Sequence, residues 1–96
     1  MILNLDDIRQ DIDCIDKKIV QLLEKRMDLV NQVVAYKKET GKAILDTSRE
    51  AAVLDKVESL VKNHDYQASI RATFSAIMAQ SRAYQEKALD LSDENN

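Results

Sequence analysis

Residues 5–38 read LDDIRQDIDCIDKKIVQLLEKRMDLVNQVVAYKK, and apolar residues recur in them at heptad spacing. Two series offset by three residues, each stepping by seven or fourteen, contain Leu5, Ile12, Ile19 and Val33, and Ile8, Ile15, Leu22 and Leu29. Such spacing places all eight side chains along one face of a long helix. We refer to these eight residues as the apolar seam.

A cation interrupts this seam. The residue seven after Ile19 is Arg26, where the pattern requires an apolar side chain, and Lys37 lies at the flank of the seam after Leu23 and Val30. Burying an unpaired guanidinium would cost several kcal/mol. Two cations on a core-facing stripe therefore suggest an anionic ligand. Alternatively, Arg26 forms a structural ion pair or fixes helix register, and Lys37 extends to the solvent.

Composition restricts the fold and the function. The chain has 96 residues, 45% of them apolar and 32% charged, with one Gly and no Pro. It is expected to form one domain over residues 1–96 of the all-α class. A net charge of −3 argues weakly against nucleic acid as a partner. The start of the chain has no signal-peptide pattern and no membrane span, so we expect a cytoplasmic protein. With Cys14 and His64 each single, no metal site or other cofactor is predicted.

The first helix is predicted from about Leu5 to Lys38, with Asn4 at its start and Gly41 just past its end. About 34 residues span roughly 50 Å at ~1.5 Å per residue. A compact domain of this size has a radius of gyration near ~12.5 Å and a diameter of roughly 30 Å. The seam would therefore extend beyond the rest of the monomer, which predicts an obligate homodimer.

Two further helices are predicted. Thr47 and Glu50 have the spacing of a capping box at the start of the second helix, which ends near Lys62, with His64 close to its C-terminal end. The third helix runs from about Gln67 to Leu89, and a tail from about residue 91 is expected to be frayed or disordered.

The third helix also breaks its apolar pattern. Its stripe of Ile70, Phe74, Ile77 and Met78 continues at helical spacing onto polar residues, namely Ser81 and Gln85. The simplest interpretation of these two residues is an interhelical hydrogen bond, and that of Arg49 and Glu50 is a solvated first turn. Together with Arg26 and Lys37, however, the polar exceptions suggest a binding site.

Helix geometry limits how the cations can cooperate. Arg26 and Lys37 are about 16 Å apart along the helix axis, which leaves room for one small anion between inward-reaching side chains. Arg9 is about 25 Å from Arg26, too far to share such a ligand within one chain. If two first helices pack antiparallel, Arg9 of one copy approaches Arg26 of the other, and the site is shared between subunits.

The ordered set of these residues resembles the all-helical, AroQ-class chorismate mutases over about residues 5 to 89. The residues that carry the resemblance are Arg9, Arg26, Lys37, Asp46, Arg49, Glu50, Ser81 and Gln85. Around them, Ile8-Arg9-x-x-Ile12-x-x-Ile15-Asp16 and Leu22-Leu23-x-x-Arg26 are similar to the family pattern. Single pieces are weak signals, but the ordered set is specific.

The resemblance implies an intertwined homodimer of three-helix chains that rearranges chorismate to prephenate, a step towards phenylalanine and tyrosine. Arginines like Arg26 and, from the partner chain, Arg9 hold the two substrate carboxylates in that family. Lys37 and Gln85 would contact the ether oxygen, and Glu50 the ring hydroxyl. Ser81 would lie by a carboxylate, Arg49 would make a further contact, and Asp46 would shape the loop.

Two rival interpretations remain. One relative of this fold removes pyruvate from isochorismate with a similar cationic pair, although Glu50 and the complete set favour the mutase. The other rival is a non-catalytic helical dimerisation module whose polar seam residues fix register. This second interpretation leaves unexplained why the seam cations lack acidic partners at matching spacing.

Overall fold

The computed structural model describes residues 2–94, which form three α-helices and one short 3-10 turn. The helices are α1 (Leu5–Thr40), α2 (Thr47–Leu60) and α3 (Gln67–Glu94), and the 3-10 turn is His64–Tyr66. No strand occurs among the described residues, so the predicted all-α class with three helices and one very long N-terminal helix is confirmed.

The ends of α1 follow from its sequence. The side chain of Asn4 accepts hydrogen bonds from the backbone N–H groups of Asp6 and Asp7, at 2.9 and 3.3 Å. Gly41 adopts a left-handed conformation with φ of 72°, and its N–H donates to the carbonyl of Lys37 at 2.8 Å. This is the expected glycine stop, because only Gly takes that conformation without a Cβ penalty.

The boundaries of α2 correct two predictions. The N-cap is Asp46, whose side chain accepts from the N–H of Arg49 at 3.0 Å, so Thr47 lies inside the helix and does not cap it. A carboxylate is a strong cap and also favours the positive end of the helix dipole. The helix ends at Leu60 rather than near Lys62, and His64 begins the 3-10 turn instead of closing α2.

The C-terminal end of α3 also differs from its prediction. The helix continues through Glu94 and does not stop near Leu89. Fraying or disorder of the tail from about residue 91 stays a prediction. Its sequence there contains no Pro or Gly that would break a helix. The last two residues of the predicted tail, Asn95 and Asn96, lie outside the described residues.

The third helix is the element against which the other two pack. Both α1 and α2 contact α3. Tyr84 of α3 donates a hydrogen bond to Asn31 of α1 at 2.6 Å, and Arg71 of α3 pairs with Asp55 and Glu58 of α2, both at 3.2 Å. The arrangement is elongated, with extents of 63 × 27 × 15 Å and a radius of gyration of 17.4 Å.

Burial within this chain is slight. Among the described side chains only four are buried, namely Val30, Met78, Ser81 and Gln85. The apolar seam lies open along the whole of α1, from Leu5 at 57% exposure to Val33 at 41%. The side chains that pack inward are Val30 and Lys37 on the flank of the seam and Arg26 at the interrupted seam position, all of which are buried or half-buried. None of the helices described here is long and apolar enough to cross a membrane.

Candidate active site

A cavity of about 510 Å³ lies among the C-terminal half of α1, the loop after it, the first turns of α2 and the middle of α3. This volume is in the range of ~300–1,000 Å³ typical of small-molecule sites. Seven of the eight residues predicted from the sequence line the cavity. They are Arg26, Lys37, Asp46, Arg49, Glu50, Ser81 and Gln85.

A chain of hydrogen bonds connects α1 to α3 at the cavity wall. The Nζ of Lys37 donates to the carbonyl of Ile44 and to Oε1 of Gln85, both at 2.9 Å. The Nε2 of Gln85 donates to Oγ of Ser81 at 3.2 Å, one turn earlier on the same helix. The ammonium has three N–H groups and the amide has two. Each of these groups therefore keeps one N–H for a ligand.

The buried positions of Ser81 and Gln85 are compatible with folding because their polar atoms are paired. Their exposure is 6% and 7%, close to that of Met78, which precedes Ser81 by three residues on the same stripe. No buried side-chain nitrogen or oxygen lacks a hydrogen-bond partner in the part of the chain that the structure describes. An unpaired amide at this depth would destabilise the fold by about 1–3 kcal/mol. The expected interhelical hydrogen bond is thus found, but from Lys37 to Gln85.

Arg26 and Arg49 are two of the cavity cations that no carboxylate of the described chain neutralises. Among the residues described, neither side chain makes a hydrogen bond or salt bridge, and Arg26 is half-buried while Arg49 is exposed. The structural ion pair considered for Arg26 is therefore not observed within the described chain. A planar guanidinium with five donors in a fixed fork matches a carboxylate bidentately. Both arginines can accordingly serve an anionic ligand.

The two carboxylates of the cavity wall already have partners. Asp46 caps α2, as described above, and therefore fixes the turn that delivers Arg49 and Glu50 to the cavity. Glu50 is half-buried and its Oε1 accepts from Nη1 of Arg82 on α3. The solvated first turn considered for Glu50 is thus incorrect, whereas Arg49 does remain exposed.

Charge is distributed unevenly over the molecule. Five cationic side chains line the cavity, namely Arg26, Lys37, Lys42, Arg49 and Arg82, against the two carboxylates of Asp46 and Glu50. The chain as a whole has a net charge of −3. An anion therefore finds an excess of positive charge at the cavity even though the molecule as a whole repels it.

Arg9 is the predicted residue that the structure does not bring to the cavity. It lies on the exposed N-terminal half of α1 and is absent from the cavity lining. Seventeen residues of helix separate it from Arg26, or about 25 Å. Within one chain it cannot reach a ligand bound beside Lys37 and Gln85, as expected from the sequence.

Three polar lining residues were missed by the sequence reasoning: Arg82, Lys42 and Tyr36. Arg82 follows Met78 by four residues, so the same helical stripe that pointed to Ser81 and Gln85 also predicts it. Lys42 lies in a loop, where periodicity gives no signal, and its Nζ is 5.5 Å from the ring centre of Tyr36. That contact is a cation–π interaction near the C-terminal end of α1.

Comparison with known proteins assigns the chain to a family. The family model described as "Chorismate mutase type II" matches residues 8–86. A chorismate mutase of Methanocaldococcus jannaschii is 32% identical over 97 residues, which span 100% of this chain and 98% of that protein. No solved structure matches the chain.

Longer proteins also contain a similar segment. A bifunctional chorismate mutase/prephenate dehydratase of Buchnera aphidicola subsp. Acyrthosiphon pisum is 39% identical over 82 residues, which are 84% of this chain and 21% of that protein. The T-protein of Haemophilus influenzae is 42% identical over 50 residues, 52% of this chain and 13% of that protein. Because the family model covers most of the sequence and the archaeal enzyme aligns along nearly its full length, this chain belongs to the family of type II chorismate mutases.

Proposed function

We propose that the cavity between the three helices is the site at which this chorismate mutase, an isomerase of aromatic amino acid biosynthesis, converts chorismate to prephenate. One observation carries the proposal: seven residues of the family-like set line a single cavity with an excess of cations. Chorismate is a small dianion, and such a cavity suits it in size and in charge.

The proposed reaction needs no nucleophile. The rearrangement is unimolecular and pericyclic, so the protein has to hold the substrate in its reactive shape and stabilise negative charge on the ether oxygen as the C–O bond breaks. No proton has to move. A site built from guanidinium, ammonium and amide groups is sufficient for this task.

Lys37 and Gln85 act at the ether oxygen in this proposal. Their mutual hydrogen bond of 2.9 Å brings the two groups together, and each retains one N–H that can donate to the same acceptor. The carbonyl of Ile44 accepts a hydrogen bond from Lys37 and Oγ of Ser81 accepts one from Gln85, and these two bonds orient the donors. Because the donors are already oriented, little reorganisation is needed as charge develops.

The carboxylates of the substrate are assigned to the arginines. Arg26 binds one carboxylate as a fork, Ser81 donates its hydroxyl proton to a carboxylate oxygen, and Arg49 makes a further contact. Glu50 accepts a hydrogen bond from the ring hydroxyl. Asp46 shapes the turn and does not touch the substrate. These assignments are supported by the shared cavity lining and by the free donors described above.

The second carboxylate requires Arg9 of another copy. We propose an intertwined homodimer in which two α1 helices cover each other's apolar seams and Arg9 completes the partner's site. The proposal is supported by the 63 Å length of the chain, the open seam and the isolation of Arg9 from its own cavity. A cytoplasmic location, with no nucleic acid, membrane or cofactor as partner, is part of the same proposal.

The direct test is to mix the purified protein with chorismate and follow the loss of its ultraviolet absorbance. We expect enzyme-dependent decay with prephenate as the product on chromatography. Isochorismate should be supplied in a parallel reaction, with pyruvate as the measured product. Unchanged chorismate would reject the mutase, and pyruvate from isochorismate alone would identify the lyase. Inactivity towards both would favour the dimerisation module.

A further inference from the structure

Arg82 is a cavity residue to which the scheme above gives no task. It lies on α3 between Ser81 and Gln85, and its side chain is 32% exposed. Its Nη1 donates to Oε1 of Glu50, whose side chain is 24% exposed, and both side chains form part of the cavity wall. The ion pair thus joins the first turn of α2 to α3 at the edge of the ligand space.

A carboxylate in this place has two opposing effects. Glu50 can accept a hydrogen bond from a hydroxyl, but its charge repels a dianion that enters the cavity. A half-exposed cation at hydrogen-bond distance offsets that repulsion. It also occupies one oxygen, Oε1, so that the second oxygen of Glu50 remains available to the ligand.

We propose that Arg82 is a positioning residue that makes Glu50 usable for a dianionic substrate. Its guanidinium fixes the carboxylate through Oε1 and offsets its charge, and the other oxygen of Glu50 accepts the hydrogen bond of the substrate hydroxyl. This inference rests on the proposed function and adds a residue to it. Asp46 needs no such partner, because the backbone N–H of Arg49 already holds its side chain.

The chain contains a matched control for a purely structural role. Arg71 also joins α3 to α2, through Asp55 and Glu58 at 3.2 Å, and it does not line the cavity. If Arg82 merely fastens the two helices together, replacing either arginine should have the same kind of effect on melting temperature and no effect on substrate affinity. If Arg82 positions Glu50, only its replacement should change the affinity.

The experiment compares steady-state kinetics with chorismate for wild type, Arg82→Gln, Glu50→Gln, the double variant and Arg71→Gln. We expect Arg82→Gln to raise KM at least about tenfold with a smaller change in kcat, because the lost interaction acts on bound substrate and transition state alike. In the Glu50→Gln background the same change should alter KM by less than about threefold, since no charge remains to be offset. Arg71→Gln should leave both constants unchanged.

Arg82→Lys tests the charge with little loss of volume and serves if Arg82→Gln fails to fold. It should retain KM within about threefold of wild type, because an ammonium still offsets the carboxylate. Equal losses from Arg82→Gln in both backgrounds would overturn the proposal and indicate a direct contact between Arg82 and the substrate. A lower melting temperature with unchanged KM would overturn it in favour of a structural link. An inactive wild type would reject the proposed function and this inference with it, whereas an active wild type with additive losses rejects the inference alone.

Discussion

The two halves of α1 carry the same apolar periodicity but differ in what covers them. From Leu23 to Lys37 the flank of the helix is buried or half-buried, and Val30 is only 7% exposed. From Leu5 to Leu22 every residue is exposed, including Ile15 at 55% and Ile12 at 49%. The C-terminal half has α3 as a partner, and the N-terminal half has none within the described chain.

This difference shows that heptad spacing predicts which face of a helix is to be buried, but not which other surface buries it. Exposed branched side chains in a continuous row are costly in water, and a second surface relieves that cost. The covered half contains a cavity with free cations, while the uncovered half contains the distant cation Arg9. Substitutions in each half can show whether the uncovered half is as necessary to the site as the covered one.

The largest effect is expected when the seam of the uncovered half is made acidic. Ile12→Asp combined with Ile19→Asp should abolish dimer formation and reduce activity by more than about a hundredfold, because two unpaired charges in a buried seam cost several kcal/mol. Sedimentation and the chorismate assay measure the two effects. Gln10→Asp, on the opposite face of the helix, is the control and should resemble wild type. A folded, active species of one chain's mass would disprove the dimer.

The next prediction links the two halves through their arginines. Arg9→Ala and Arg26→Ala should each be nearly inactive, since each removes the partner of one substrate carboxylate. After subunit exchange the mixture should recover up to about a quarter of wild-type activity, because half of random dimers are heterodimers with one intact site of two. Exchange is verified with a mass-tagged chain. No recovery after exchange would mean that Arg9 acts in its own chain or not at all.

Lys37→Ala removes the charge at the end of the covered half. We expect kcat to fall at least about a hundredfold, because several kcal/mol of oxyanion stabilisation are lost at ~1.4 kcal/mol per tenfold. Rapid-quench or absorbance kinetics give kcat and KM separately. Lys38→Ala, the exposed neighbour, is the matched control. A rise in KM alone would place Lys37 away from the reacting bond.

Gln85→Glu should make the site depend on pH. A neutral carboxyl can still donate to the ether oxygen, whereas a carboxylate repels the developing negative charge. Activity should therefore survive towards acid pH and disappear as the pH rises, while the wild-type rate stays nearly flat between about pH 5 and 8. The pH–rate profile measures this difference. Full activity of Gln85→Glu at pH 8 would show that residue 85 does not contact the reacting bond.

The smallest effect concerns the end of α1. Gly41→Ala should lower the free energy of unfolding by about 1 kcal/mol, because an L side chain is strained at a positive φ. An added Cβ would meet no atom within 4 Å, so steric overlap adds nothing. Chemical denaturation measures the loss, and Gly41→Asn should lose less. A loss of several kcal/mol would indicate that the turn has a further role.

The sequence is most informative where chemistry contradicts periodicity. Arg26, Ser81 and Gln85 stand at positions that require apolar residues, and all three line the cavity. The ends of α1 are predictable because Asn4 and Gly41 have single, strong local preferences. The N-cap of α2 is not, since Asp46, Thr47 and Ser48 are all good caps in succession.

The contacts between side chains of different helices are the second feature that could not be predicted from the sequence. Arg82 can pair with Glu50 only because α2 and α3 are packed side by side, and neither residue reveals its partner by spacing within one helix. The carbonyl of Ile44 becomes a partner of Lys37 through the path of a loop, for which no period exists. Contacts between separate elements therefore emerge only from the three-dimensional structure.

The burial of Ser81 and Gln85 has a consequence for how such an enzyme can adapt. Two of the four side chains that are buried in the described part of the chain are polar groups of the proposed site. Under that proposal, making this layer more apolar is expected to reduce activity. Gln85→Leu would illustrate the conflict, because it adds apolar contacts where the reaction needs a donor. Under the proposed function, substitutions that raise stability without loss of turnover are therefore expected in the seam and the loops rather than in this buried layer.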